Sequence, residues 1–157
     1  MDTSPTATPT PHDDDPWSDV ADLVMSIARE IQVRGFGDAR AVELSGSETN
    51  VMRFIDRNPG LGAGDVAQGT GLQRSNLSSA LRSLEAKGLV ERRHGEDDHR
   101  TVLLFPTSLA AQNLSVIRAE WSLMLRQAVE STTGISPSPA LAFLADLERG
   151  LVTARRR

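Results

Sequence analysis

A chain of 157 residues with a formal net charge of −4 is long enough for one domain with its own core, or for a small domain carrying helical extensions. It has no cysteine, which excludes a disulfide framework, a thiolate nucleophile and a thiol redox switch. No apolar run approaches the roughly 20 residues that span a bilayer, and the N-terminus MDTSPTATPTPHDDDP lacks the basic start and apolar segment of a signal peptide. A cytoplasmic protein with no membrane partner is expected.

The charge is unevenly spread. Residues 1–22 hold six acids and no Lys or Arg, so the remaining 135 residues carry fifteen acids against seventeen bases. A negative total therefore does not argue against nucleic acid, because what a polyanion meets is a local basic face.

Residues 1–15 are rich in Pro, Thr and Asp and too poor in apolar groups to offset the entropy of ordering, so a disordered tail is expected. From Pro16, Val20, Leu23, Val24, Ile27 and Ile31 recur at helical spacing, which predicts an amphipathic helix over about 16–34, broken by Gly35 and Gly37. SGSE, Ser45 to Glu48, is a capping-box pattern that opens a second helix with Val51, Phe54 and Ile55 on one face, and NPG at 58–60 stops it. A short helix around Gly64 to Gly69, a turn at Gly71 and a longer helix from about Gln73 to Lys87, ended by Gly88, follow. LVERRH and TVLLF then read as the strands of a hairpin around a charged tip. Pro106 lies next to the second of them and is expected to end it early. From Ser108 the chain is helical again, with Leu114, Ile117, Trp121, Met124 and Ala128 close to a heptad seam. SPSP at 136–139 starts a last helix bearing Leu141, Leu144, Leu147 and Leu151.

The most specific signal is DVAQGTGLQRSNLSSALRSLE. Ala67 is followed four residues later by Gly71, and Leu77 comes six after that. A helix-turn-helix needs this spacing: a small residue for close approach, a glycine for the tight turn and an apolar anchor on the second helix. An ordinary helical hairpin is the plainer alternative. The outward face of the second helix favours DNA. Gln73, Arg74, Ser75, Asn76, Ser78, Ser79 and Arg82 are groups suited to base edges, with arginines for guanines or phosphates. A solvated face without a task more often carries Glu and Lys.

The segment from about Val51 to Thr107 resembles the MarR family of bacterial transcription factors, on LRSLEAKGLVERR, then Asp98 and Arg100, then Thr107 opening the next helix. With the outer helices the resemblance covers about residues 17–154. It implies a mainly α fold with a small β-hairpin wing: a winged helix-turn-helix between N- and C-terminal dimerisation helices. It places the second helix of the motif in the major groove and the hairpin in the adjacent minor groove. The wing's Asp-x-Arg carries over onto Asp98 and Arg100, the Arg entering the groove and the Asp orienting it. A narrow A·T-rich minor groove attracts a guanidinium, and a carboxylate two residues away can hold its fork. Arg92 is a further phosphate-type contact. There are departures: His99 stands where a second arginine is common, which makes wing contacts pH-sensitive, and Ala110 stands where glycine is frequent.

Other chemistries fit less well. His94, Asp97, Asp98 and His99 contain metal-ligand types, but a hairpin tip supplies no surrounding hydrogen bonds to hold them. GLGAG at 60–64 lacks the strand that a phosphate-binding loop needs before it. No nucleophile-base order or carboxylate pair suggests an enzyme, and no cofactor is expected. The organisation expected is therefore a tail over 1–15, a helical dimerisation region over 16–46 and 108–157, and a DNA-binding domain over 47–107. The apolar stripes of the outer helices exceed what one short domain covers, and a two-fold homodimer would bury them. The resemblance also implies a small-molecule effector crevice, for which Met25, Arg29, Phe54 and Trp121 are candidate linings. The reading is a dimeric repressor of double-stranded DNA with a pseudo-palindromic operator. The alternative is a winged helix that docks a protein, in which case Asn76 and Arg82 would face an apolar neighbour.

Overall fold

The computed structural model describes residues 15–34, 41–95, 101–130 and 136–155. Apart from Asp15, the expected tail lies outside them, as do Gly35 and Gly37. The chain divides into two units, Met1–Gly35 and Phe36–Arg157.

The first unit is helix α1, Pro16–Arg34. Asp15 caps it: its carboxylate accepts from the Trp17 N–H at 3.0 Å and its carbonyl from the Ser18 hydroxyl at 2.8 Å. Proline at the first helical position has no N–H to leave unsatisfied. The periodic apolar stripe is present, with Leu23, Val24 and Ile27 exposed and Val20 and Ile31 half-buried.

The second unit runs α2 (Gly46–Arg57), β1 (Leu61–Gly62), α3 (Ala63–Thr70), α4 (Arg74–Ala86), β2 (Val90–His94), β3 (Val102–Pro106), α5 (Ser108–Glu130) and α6 (Pro137–Arg155). Ser45 caps α2 in a complete capping box: its hydroxyl accepts from the Glu48 N–H, and the Glu48 carboxylate accepts from the Ser45 N–H. Val51, Met52 and Ile55 of α2, Val66 of α3, Leu77, Leu81 and Leu84 of α4, Leu104 of β3 and Leu114 and Ile117 of α5 make one core. Gly69 lies where a Cβ would run into the Phe54 ring, so a glycine lets α3 close on α2. Segment 41–45 is drawn onto this core by Asn113, whose buried amide accepts from the Val42 N–H at 2.6 Å and donates to the Val42 carbonyl.

The sheet differs from expectation in two ways. The hairpin β2–β3 gains a third strand, β1, in the order β1-β3-β2, so a two-residue strand sits inside the glycine-rich run that had none expected. Strand β3 also continues through Pro106, which faces Val90. The register explains why. Leu89 accepts from the Thr107 N–H and Thr101 from the Gly95 N–H, so Pro106 occupies a pair that exchanges no hydrogen bonds with β2. Its missing N–H is directed to the β1 side, past the end of that strand, and costs the ladder nothing.

Thr107 then starts α5, accepting from the Ala110 N–H and donating to the Gly88 carbonyl at 2.8 Å. One face of the first half of α5 is buried, through Ala110, Asn113, Leu114 and Ile117, while Leu123, Leu125 and Val129 of its second half are exposed. Helix α6 has no buried residue.

One ion pair fixes the start of α2 to the end of α4. Lys87 donates to both carboxylate oxygens of Glu48, at 3.0 and 3.1 Å, and to the Glu43 carbonyl. Burial alone would raise the Glu48 pKa, but the Ser83 side chain, the Ser45 N–H, Lys87 and the Ser45 hydroxyl together hold it down at about 2. Because the folded value lies below the ordinary 4.5, the stabilisation is present above pH 4.5 and is lost as the pH falls toward 2. It amounts to about 3 kcal/mol at neutral pH. Urea unfolding across the acid range should show this loss in the natural protein. Glu48→Gln should be less stable at neutral pH and lack that part of the acid limb.

Candidate nucleic-acid interface

The two faces of α4 are set by its leucines. Leu77, Ala80, Leu81 and Leu84 are buried, so the intervening positions must point outward. Gln73, Arg74, Ser75, Asn76, Ser78, Ser79 and Arg82 are all exposed, which brings the seven expected α4 residues together on one surface. Gln73 sits at the N-cap with extended backbone and makes no capping bond, leaving its amide to the outside. Within the face, the Arg82 guanidinium donates to the Ser79 hydroxyl at 3.4 Å.

The turn before α4 is built for this presentation. Gly71 closes α3 in the left-handed region at φ 72°, and its N–H is donated to the Ala67 carbonyl. These are the positions singled out by the helix-turn-helix spacing, and Leu77 is the buried anchor that follows.

Sequence reasoning missed a neighbour of this face. Ser45, Ser47 and Glu48 at the start of α2 line, with Asn76, Ser79 and Ala80, a shallow hollow of about 340 Å³. The signal was the capping box itself, since it puts hydroxyls at the start of α2, but their proximity to α4 is a tertiary fact.

On the wing, the stem is described and the tip is not. Asp98, His99 and Arg100 lie outside the described residues, as do Asp97 and hence most of the metal reading. Arg92 is held by Glu85, with Nε to Oε1 at 2.5 Å. Arg93 lies over the Phe105 ring, 4.5 Å from its centroid, and pairs with Glu91.

Of the four residues expected to line an effector crevice, Phe54 and Trp121 pack against the core of the second unit. Met25 and Arg29 stand on α1 and are exposed. Sequence reasoning did not single out Arg53, which lies over the Trp121 ring at 5.4 Å. Its pKa is pushed below the ordinary arginine value, first by burial and then by Arg57 and Arg118, with Glu148 acting the other way. The indole N–H of Trp121 is buried without an acceptor among the described residues.

This combination, a small three-stranded sheet behind a helix-turn-helix with a polar outward face, defines a winged helix-turn-helix fold. Residues 43–101 match the family model described as MarR family. The chain is 26% identical over 125 residues, 78% of each protein, to the uncharacterized HTH-type transcriptional regulator YfiV of Bacillus subtilis (strain 168). Its fold is similar to that of the transcriptional regulator SlyA, with a TM-score of 0.68 at 16% identity over 88% of this chain and 97% of that one. It is also similar to Streptococcus pneumoniae FabT in complex with DNA, with a TM-score of 0.61 at 20% identity over 89% and 95%. The segment 43–101 is thus similar to the MarR family, and the chain as a whole is similar to an HTH-type transcriptional regulator and to the fold of such regulators. Among the described residues, no helix is long and apolar enough to cross a membrane.

The Arg92–Glu85 pair gives a test of the wing stem. A guanidinium already held by a carboxylate contributes little to phosphate contact. Glu85→Gln should therefore raise affinity for duplexes of any sequence and steepen the salt dependence by about one further contact per subunit. Titrations of two unrelated duplexes at several salt concentrations check it.

Proposed function

We propose that this protein is a homodimeric repressor that reads a pseudo-palindromic operator in double-stranded DNA and is released by a small organic anion. The observation that carries the DNA reading is the outward face of α4: seven exposed side chains from Gln73 to Arg82, none of them acidic, over a buried leucine row. Asn76 and Arg82 are the base-reading candidates, and Arg74 is suited to phosphate at the helix start. The wing tip, with Asp98, His99 and Arg100, is assigned to the minor groove on the strength of the family resemblance.

The division of labour proposed is a reading head over 47–107 and dimerisation helices over 16–46 and 108–157, in the cytoplasm. What supports it is exposure: Leu141 is 70% exposed, Leu144 46% and Leu151 65%, on a helix that buries nothing in one chain. For the effector, the support lies around Trp121. Arg53 over the Trp121 ring, beside an indole N–H without an acceptor among the described residues, favours a carboxylate-bearing ligand, while Arg118 is already held by Asp56 at 3.0 Å. Phe54 and Trp121 would be its apolar contacts, while Met25 and Arg29 rest on the sequence reading alone.

Selection of bound fragments from random duplex DNA tests the central reading, and a recovered motif should have half-sites about one helical turn apart. With arginines of two subunits on the backbone making about six contacts, affinity should drop about a thousandfold between about 50 and 200 mM salt. Asn76→Ala should relax base preference within each half-site at a cost of about 1–3 kcal/mol, read by competition between matched and mutated operators.

Dimerisation is tested separately. Each buried leucine is worth about 1.5–3 kcal/mol, so Leu141→Glu with Leu144→Glu should give a monomer or an aggregate by light scattering, with loss of operator binding. A soluble dimer from that double variant would remove α6 from the interface.

A further inference from the structure

Helix α6 has no buried residue, yet its last turn is tied to the DNA-reading turn. The Arg155 guanidinium donates to the Gly69 carbonyl at 2.8 Å, across 86 positions of sequence. Gly69 is in the last turn of α3, where carbonyls have no partner further along the helix. Around it the end of α3 is closed from several directions. The Thr70 hydroxyl donates to the Val66 carbonyl at 2.7 Å, the Gly71 N–H to Ala67, and Asn50 of α2 to the Thr70 carbonyl at 3.5 Å. Arg155 supplies the bond to Gly69, and as a cation it stands at the negative end of the helix dipole.

The glycines of the turn record the same contact. A Cβ on Gly71 would collide with an Arg155 guanidinium nitrogen, so the left-handed turn residue also leaves the room that the arginine occupies. Two residues later the chain enters α4 at Gln73 and Arg74. The arginine thus braces the point from which the outward face of α4 is aimed.

We infer that Arg155 is a positioning residue for DNA reading: it locks the α3–α4 turn to α6, so that the placement of α6 governs the aim of α4. The DNA half of this statement rests on the function proposed above, and the lock does not. Because α6 is also the helix with the exposed leucine stripe, the lock gives the proposed dimer interface a direct route to the reading turn. It does so through one side chain and not through a packed surface.

The experiment uses the full chain with Arg155→Gln, Arg155→Lys and, as a control on the same helix, Arg149→Gln, whose arginine pairs only with Asp146 and the Ala145 carbonyl among the described residues. Amide hydrogen exchange is read over residues 67–76 and over α2, together with light scattering and operator affinity. Arg155→Gln should speed exchange over 67–76 by about two- to fivefold, the worth of a cation at a helix end, and leave α2 exchange and the dimer mass unchanged. Operator affinity should fall by a similar factor. Arg155→Lys should recover most of both, and Arg149→Gln should change neither. Unchanged exchange in Arg155→Gln overturns the lock, and faster exchange with unaltered operator affinity overturns its role in reading. Should the natural protein bind no DNA at all, the proposed function fails, and the exchange measurement still decides the lock by itself.

Discussion

The structure depends on one packing constraint, the leucine row of α4. Leu77, Leu81 and Leu84 lie at helical spacing in the centre of the core, against Val51, Met52 and Ile55 of α2 and beside Leu104 of the sheet. A helix so anchored has one rotational setting, because turning it by one residue would lift leucines into water at about 1.5–3 kcal/mol each. The polar face from Gln73 to Arg82 is therefore aimed by burial on the other side. The buried and the outward residues of α4 are different side chains, so the outward face is open to substitution at little cost to the fold.

Around that row, the parts that fix position are polar and sparse. The Glu48–Lys87 pair joins the start of α2 to the end of α4, and Thr107 joins the end of α4 to α5 through the Gly88 carbonyl. Asn113 brings in segment 41–45 by pairing both backbone groups of Val42. Each of these closes a buried or half-buried polar group that would otherwise cost about 1–3 kcal/mol. They act as registration pins on an apolar core, and they account for the definite relation between α2, α4 and the wing stem.

Much of this was legible in the sequence, and the exceptions have a common cause. The capping box at Ser45, the turn at Gly71 and the alternation of buried leucines with exposed polar residues on α4 are local signals, readable within a few residues. Strand β1 was not legible, because two residues carry no period and Leu61–Gly62 becomes a strand only when β3 arrives beside it. Pro106 was misread for the same reason. Whether a proline harms a strand depends on which of its neighbours needs the N–H, and that is set by register. Arg53 over Trp121 and Arg155 on Gly69 are contacts across long stretches of sequence, invisible to any windowed pattern. The wing tip is the reverse case: Asp98 and Arg100 were the clearest motif residues of the hairpin, and they fall outside the described residues.

The exposed helices complete the physical logic. In α1 and α6, large apolar side chains stay in water: Met25 at 71%, Val33 at 75%, Leu141 at 70% and Leu151 at 65%. Exposed apolar stripes of this kind mark surfaces that are covered by a partner. A second copy is the simplest cover, since a two-fold pairing supplies each stripe with its own complement. In the dimer proposed above, the same operation would duplicate α4 and repeat its polar face at a fixed spacing, as a DNA site with two half-sites requires. In the proposed dimer, the exposed apolar stripes of the outer helices would set the distance between the two polar faces of α4.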